Sequence, residues 1–261
     1  MNSVASTPSG GRRNQQAGFT LIELMVSLTI ALFMLAAIVA IYVNMKATFV
    51  AQDELAQLQD SERLALTMLT TTIQSAGYFS DPVNSTAITS LPAASVTWPS
   101  GTVSALAAGQ GVVGAGNTLG TGTGSDTIAV QYQTASGDGL MNCQGQTNPA
   151  TSGVKQVWIN SFSINASNEL TCTVGTGTPV ALASNVGQMS IVYGVDTDGD
   201  ANNSTDTYMP GSGVAAAGLW ARVHTAQITL RFLNTLSSTP SAPVLLTGPG
   251  IVQSINFKNN P

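Results

Sequence analysis

The chain has 261 residues, of which 43% are hydrophobic and only 8% are charged, and its formal net charge is −5. This length suffices for one sizeable hydrophobic core or two small ones. The 8 Lys and Arg are scattered along an acidic chain, which lacks the basic patch that binding to a phosphate backbone requires. We therefore expect no direct contact with nucleic acid, although a partner of this protein could bind DNA.

The N-terminal region combines a polar segment with an apolar one. Residues 1–18 are polar and contain Arg12 and Arg13, whereas residues 19–43 form an apolar run in which Glu23 is the only charge. In a helix such a run spans about 37 Å, which exceeds the roughly 30 Å hydrocarbon core of a bilayer. The sequence therefore predicts one transmembrane helix over 19–43, with the N-terminus held in the cytoplasm by the preceding arginines.

The position of small residues separates this segment from an ordinary secretory signal. A signal peptide is cut after its apolar stretch. Here the only small-residue junction that follows basic residues is Ala17-Gly18, which lies before the run. A cut there would leave the apolar helix on the mature protein as an anchor. The alternative is a simple signal-anchor helix that carries a glutamate by chance.

Glu23 needs a partner if it lies in a membrane helix. An ionised carboxylate there costs at least a few kcal/mol, so such residues usually have a neighbour of opposite charge. A chain cut before Phe19 would carry a positive α-amino group at nearly the depth of Glu23. In a packed array of helices, Glu23 of one subunit can neutralise the Phe19 amine of a neighbour and fix the axial register between them.

The run from Gly18 to Val26, GFTLIELMV, resembles the cleavage motif of type IV prepilins. The resemblance implies that residues 1–18 are a leader peptide and that prepilin peptidase cuts between Gly18 and Phe19. It also implies N-methylation of Phe19 and a role for Glu23 in subunit assembly.

A long helix follows the cleavage motif. No glycine or proline lies between Phe19 and Ala76, so we predict one helix over 19–77 that ends at Gly77. After Val43 an apolar stripe appears among charged residues, and we expect it to pack on a head domain; a coiled coil is the less favoured alternative. The predicted stripe consists of Leu55, Leu58, Leu66, Leu69 and Ile73.

Residues 78–261 are predicted to form a periplasmic, β-rich head. Residues 99–125 are poor in bulky side chains and predict a long surface loop. We predict an α+β fold in which the long helix packs against one antiparallel sheet or two small ones, as the resemblance to type IV pilins also implies. Strands are predicted at 127–132, 154–159, 170–174, 189–194 and, as a central antiparallel strand, 221–233.

Cys143 and Cys172 are the two cysteines of the chain. Two cysteines in an exported domain favour a disulfide, which would close a loop of about thirty residues and contribute roughly 3–4 kcal/mol. The alternative is a pair of unrelated buried thiols. There is no C-x-x-C motif or Cys/His cluster, so zinc and thiol-redox chemistry are not expected.

Asp196, Asp198 and Asp200 alternate in a predicted turn and could converge on a calcium ion. The EF-hand pattern is not met, because Ala201 stands where that loop needs glycine. Asp206 could supply a further oxygen. The favoured alternative is a solvated turn without an ion, and we expect no cofactor to be required.

Two C-terminal segments narrow the resemblance. The segment from Met189 to Asp200, MSIVYGVDTDGD, and the segment from Leu219 to Arg231, with LWARV and QITLR at its ends, resemble minor pilins of the PilW type. These are in turn similar to the J-type minor pseudopilins of type II secretion. We find no such resemblance between about 80 and 185.

The resemblance implies a structural role rather than an enzymatic one. The subunit would wait in the bacterial inner membrane and then join a complex at the pilus tip that primes assembly and supports adhesion or twitching motility. Its implied partners are prepilin peptidase, the inner-membrane assembly platform, other minor pilins, the major pilin and a large tip adhesin. The alternatives are a pseudopilin of type II secretion and a tip module that binds a ligand or DNA.

Catalytic motifs are missing from the sequence. His224 is the only histidine and lies in a predicted strand, where a packed or edge role is more common than catalysis. There is no Gly-x-Ser-x-Gly elbow, P-loop or H-E-x-x-H motif. The sequence therefore predicts no catalytic residue.

Overall fold

The computed structural model describes residues 18–116, 124–200, 204–234, 237–238 and 242–257. The predicted leader therefore lies outside the described residues, except for Gly18. The chain divides into two compact units between Gln52 and Asp53. The first unit contains the beginning of the long helix, and the second contains the rest of that helix and all of the strands.

The predicted long helix is confirmed and spans Leu21–Gln74 (α1). Thr20 caps the start of this helix. Its carbonyl accepts hydrogen bonds from the backbone N–H groups of Glu23 at 3.1 Å and Leu24 at 3.2 Å. Its hydroxyl also accepts the N–H of Glu23, at 3.4 Å. After the helix ends, Gly77 adopts a left-handed φ of 76° and donates its N–H to the carbonyl of Gln131 at 2.9 Å. This residue thus turns the chain from the helix onto the sheet.

The part of α1 that belongs to the second unit buries one stripe in the head core. Ala65 and Ile73 are 0% exposed and Leu69 is 1% exposed. The predicted stripe is corrected at its first residue, because Leu55 is 54% exposed. Ala65 is buried where the sequence predicted Leu66. Residues 58, 65, 69 and 73 lie on one face of the helix, and position 66 is rotated away from that face.

Within the described residues the strands form three antiparallel sheets instead of the one or two predicted. The strands are β1 (Ala94–Thr97), β2 (Val103–Leu106), β3 (Val112–Ala115), β4 (Thr127–Thr134), β5 (Gln156–Ile164), β6 (Leu170–Val174), β7 (Val180–Ala183), β8 (Val186–Val195), β9 (Thr207–Pro210), β10 (Val223–Phe232) and β11 (Ile251–Asn256). A two-stranded sheet pairs β1 with β2, a five-stranded sheet has the order β3-β4-β5-β6-β7, and a four-stranded sheet has the order β11-β10-β8-β9. Two short helices, α2 (Ala87–Ser90) and α3 (Gly211–Ala217), also belong to the head.

The predicted central strand is confirmed as β10, which lies between β8 and β11. Its side chains alternate between buried and half-buried positions over most of its length, and Ile228 and Leu230 are fully buried. The strand begins two residues later than predicted because Trp220–Arg222 forms a 3₁₀ turn ahead of it.

The predicted surface loop over 99–125 is wrong in part, since β2 and β3 lie inside it. Its residues 117–123 lie outside the described chain. The small residues that indicated a loop are required by packing: a Cβ on Gly114 in β3 would overlap the hydroxyl of Tyr193 in β8. Val112 and Val113 beside it are buried, so this strand belongs to the core.

A hydrogen-bonded seam joins the five-stranded sheet to β8. Asp126, just before β4, is 2% exposed and accepts the backbone N–H of Ile191 on its Oδ2 atom at 2.8 Å. Its own N–H donates to the carbonyl of Met189 at 2.8 Å, and the Met189 N–H donates to the hydroxyl of Ser125 at 2.8 Å. Without these bonds, polar groups of Asp126, Met189 and Ile191, all three of which are buried, would lack partners.

The structure contains the disulfide between Cys143 and Cys172, with their Cα atoms 6.2 Å apart. Both cysteines are buried, and Cys143 donates its backbone N–H to the Oδ1 atom of Asn160 at 2.9 Å. The bond holds the loop after β4 on one face of the five-stranded sheet.

The seam yields a stability prediction. Asp126→Ala removes the acceptor of a buried backbone N–H, so we expect it to lower the free energy of unfolding by about 2–3 kcal/mol. The measurement is urea unfolding of the detergent-solubilised chain, followed by tryptophan fluorescence, because all three tryptophans lie in the head. Asp60→Ala, at an exposed helix position, is the control and should change the value by less than about 0.5 kcal/mol. Equal losses in the two variants would contradict the role of the seam.

Candidate assembly segment and acidic turn

The predicted cleavage residues lie just ahead of α1. Gly18 and Phe19 are both exposed, and the Phe19 side chain is 82% exposed. Thr20 then caps the helix, and Glu23 occupies its first turn. A carboxylate in the first turn interacts favourably with the helix dipole. Among the described residues, the Glu23 carboxylate has no hydrogen bond or ion pair.

The first unit exposes apolar side chains all around the helix. Every residue from 21 to 50 is exposed, so α1 has no buried face in this range. Each large apolar side chain left in water forgoes roughly 1.5–3 kcal/mol of burial free energy. A helix that is apolar on all sides belongs in a membrane or in a bundle of similar helices.

Polar groups inside the apolar run are satisfied within the helix. The hydroxyl of Ser27 donates to the carbonyl of Leu24 at 3.0 Å, and that of Thr29 donates to the carbonyl of Val26 at 2.8 Å. A membrane-embedded helix needs this internal pairing because the hydrocarbon offers no partners. By length and composition, α1 is the one helix of the described chain that could cross a membrane. Glu23 is the only charged residue of the run, and among the described residues its carboxylate has no such partner.

The acidic turn after β8 brings together a different set of carboxylates from the one predicted. Asp196, Asp198 and Asp206 each place a carboxylate oxygen within 4.8 Å of the others. Asp200 does not belong to this group; its N–H donates to the Oδ1 atom of Asp198 at 3.0 Å. The reason is that Asp206 precedes β9, which pairs with β8 and so returns to the turn.

The turn is held by its own backbone donors. Asp206 accepts the N–H of Thr197 at 2.8 Å and that of Asp198 at 3.3 Å, and these bonds, the first above all, lower the pKa of its carboxyl. Asp196 accepts the N–H of Gly199 at 2.6 Å. These hydrogen bonds support the polar-turn interpretation. The acidic cluster remains a candidate cation site on composition alone.

Two residues in this region were not assigned roles by the sequence. The guanidinium of Arg222 lies so close to Gly199 that a Cβ on this glycine would be 2.8 Å from it. This places a positive charge beside the acidic turn. Trp220 packs edge-on against Tyr193, with ring centroids 4.9 Å apart, and fixes the 3₁₀ turn on β8. Neither contact has a signal in the sequence, since both join residues 23 or more positions apart.

His224 lies in β10, as predicted, and is half-buried. Its Nε2 atom is buried and has no hydrogen-bond partner among the described residues. Its backbone carbonyl accepts the N–H of Phe257 at 2.9 Å. The residue therefore has a strand position, and its backbone takes part in the pairing of the sheet.

Comparison with known proteins identifies the N-terminal segment. The prokaryotic N-terminal methylation motif matches residues 13–39, which include Gly18, Phe19 and Glu23. Among curated proteins, none matches the chain significantly. Among solved structures, a type IV-like pilin from Thermus thermophilus is similar to this chain at 12% identity and a TM-score of 0.40, over 78% of this chain and 96% of that one.

The matched segment covers the junction between the polar N-terminal segment and the apolar helix. It is the prokaryotic N-terminal methylation motif, and it matches residues 13–39 only. Together with the exposed apolar helix that begins within it, which is long and apolar enough to cross a membrane, the motif gives this chain the N-terminal arrangement that the resemblance to type IV pilins predicts.

The hydrogen bonds of Asp206 yield a test of the two interpretations of the acidic turn. Because its folded pKa lies below the usual value of 3.8, its ionised form stabilises the fold above about pH 4, and this contribution is lost as the pH falls through the folded pKa. We expect Asp206→Asn to lower the thermal midpoint at pH 7 in EDTA and to flatten the decline in stability below about pH 4. Asp60→Asn is the matched control. A difference between wild type and Asp206→Asn that appears only with millimolar CaCl₂ would favour the calcium interpretation instead.

Proposed function

We propose that this protein is a minor pilin of a type IV pilus. Prepilin peptidase removes residues 1–18, Phe19 becomes the methylated N-terminus, and the apolar helix stays on the protein as its membrane anchor. The observation that supports this proposal most is the methylation motif at residues 13–39, within which a helix begins that has no buried face from residue 21 to 50.

Glu23 is proposed to direct assembly. Its carboxylate lies one turn from Phe19 and has no partner among the described residues, so an apolar environment would require a cation from elsewhere. The methylated amine of Phe19 in a neighbouring subunit has the right charge and the right depth. Pairing the two groups offsets two burial costs together and selects one axial register.

The head is proposed to give partner specificity at the pilus tip. The segments that resemble PilW-type minor pilins fall on β8 with the acidic turn, and on the 3₁₀ turn with β10. They are adjacent in space because β8 pairs with β10. The proposed partners are other minor pilins, the major pilin, the inner-membrane assembly platform and a large tip adhesin, and the acidic turn is a candidate calcium site within this complex.

The alternative is a minor pseudopilin of type II secretion, which would use the same leader, helix and glutamate. Genes for a secretion channel rather than a pilus retraction motor beside this one would favour that alternative. A tip module that binds DNA is disfavoured by the net charge of −5.

The role of Glu23 can be tested by neutralising it. We expect Glu23→Gln to insert into the inner membrane as well as wild type, since a neutral side chain costs less to bury. Filament number and the amount of this subunit in sheared filaments should fall by about tenfold or more, which corresponds to about 1.4 kcal/mol. Immunoblots of membrane and filament fractions give both quantities.

Asp60→Asn is the matched control, because it removes one charge from an exposed position of the same helix. It should leave filament number within about twofold of wild type. If Glu23→Gln were incorporated as efficiently as Asp60→Asn, the proposed pairing with the Phe19 amine would be wrong.

A further inference from the structure

A groove runs across one face of the five-stranded sheet, beneath the β1–β2 hairpin. It has a volume of about 410 Å³, within the range of about 300–1,000 Å³ typical of ligand sites. Strand β1 and the residues that follow it form one wall, β5 and β6 form the floor, and the turn after β6 forms the other wall. All of these elements belong to the second unit.

The groove is lined by hydroxyl groups. Of the twelve described residues that line it, six are Ser or Thr and none is charged. Two of the hydroxyls are used within the sheet: Ser163 pairs with Thr171 at 3.1 Å, and Ser161 donates to the carbonyl of Thr173 at 3.4 Å. The hydroxyls of the other four have no hydrogen-bond partner among the described residues, and these residues are Ser95, Thr97, Thr173 and Thr176.

A second cavity of about 460 Å³ continues the groove. The two cavities share Pro99 and Ser163, and the described residues that line the second cavity likewise carry no charge. It adds further hydroxyl groups, among them those of Ser100 and Thr102. The described residues of the combined surface are therefore uncharged and rich in groups that can both donate and accept hydrogen bonds.

Flat apolar surfaces accompany these hydroxyls. Pro99 and Pro179 line the groove together with Trp98. Trp98 is only 3% exposed and its indole N–H donates to Ser104 at 2.7 Å, so its ring supports the wall from behind. The exposed apolar surface comes from the two prolines. A sugar ring carries hydroxyls at its edge and C–H groups on its faces, which suits this alternation.

We propose that the groove binds a neutral oligosaccharide chain, such as a surface glycan. An extended peptide fits less well, because peptides that join a sheet use the unpaired backbone groups of an edge strand. The floor strands β5 and β6 are both interior strands of their sheet, so their backbone groups are already paired. Among the described strands that line the groove, only the wall strand β1, which pairs with β2 alone, leaves an edge that such a peptide could join. An acidic polymer would find no cation among the lining residues. This inference does not depend on the proposed function.

The test is saturation-transfer NMR on the detergent-solubilised full chain with single oligosaccharides. The probes are the neutral chains maltohexaose, cellohexaose, xylohexaose and chitohexaose, the acidic hexagalacturonate, and an uncharged Ala/Ser/Thr hexapeptide. We expect transfer to at least one neutral oligosaccharide and none to the acidic chain or the peptide. Transfer to none of the neutral chains at millimolar concentration, or equal transfer to hexagalacturonate or the peptide, would overturn the proposal.

Two variants locate the site. Ser95→Arg should abolish binding by filling the groove. Ser254→Arg, at an exposed position of β11 in the four-stranded sheet, should leave binding unchanged. Thr173→Val removes one free hydroxyl at constant shape and should weaken binding by about tenfold, while the thermal midpoint stays within about 2 °C of wild type. Binding that survives Ser95→Arg, or is lost equally in Ser254→Arg, would place the ligand elsewhere and refute the assignment.

Discussion

A lone carboxylate on an apolar helix is the constraint on which the account of this protein depends. Glu23 lies in a helix whose side chains are exposed on every face from residue 21 to 50, so the helix requires an apolar environment and the carboxylate requires a cation within it. A membrane satisfies the first requirement only. An array of like helices, each beginning with a charged amine at Phe19, satisfies both. The same physical demand thus supports the proposed cleavage before Phe19, the proposed storage in the membrane and the proposed assembly into a filament.

The head shows how small residues and buried polar groups set the relation between two sheets. Asp126 and Ser125 provide β8 with partners beyond the end of β9, and Gly114 leaves room for the Tyr193 hydroxyl where β3 passes β8. The five-stranded sheet is fixed in this way, and its β5–β6 face is left open beneath the β1–β2 hairpin.

The sequence predicted those features that depend on local pattern. The long helix follows from the absence of glycine and proline, and β10 follows from its alternating side chains. The third sheet and the strands at 103–106 and 112–115 were missed because their small residues also suit a loop, and only contact with distant Tyr193 explains Gly114. In the acidic turn, the sequence grouped Asp200 with Asp196 and Asp198 and offered Asp206 as a further ligand, whereas the structure brings Asp206 and not Asp200 to the other two. Spacing along the chain could not decide between Asp200 and Asp206, because the return of β9 to β8 is a tertiary feature.

The most direct measurement is the N-terminal residue and intact mass of the protein from cells with and without prepilin peptidase. With the peptidase, we predict a chain that begins at methylated Phe19; without it, the chain should begin at Met1 and keep Arg12 and Arg13. A chain that begins at Met1 in both strains, or one cut after Val43, would contradict the account. The apolar helix would then be an uncut anchor or a removed signal, and Glu23 would have no neighbouring amine to pair with.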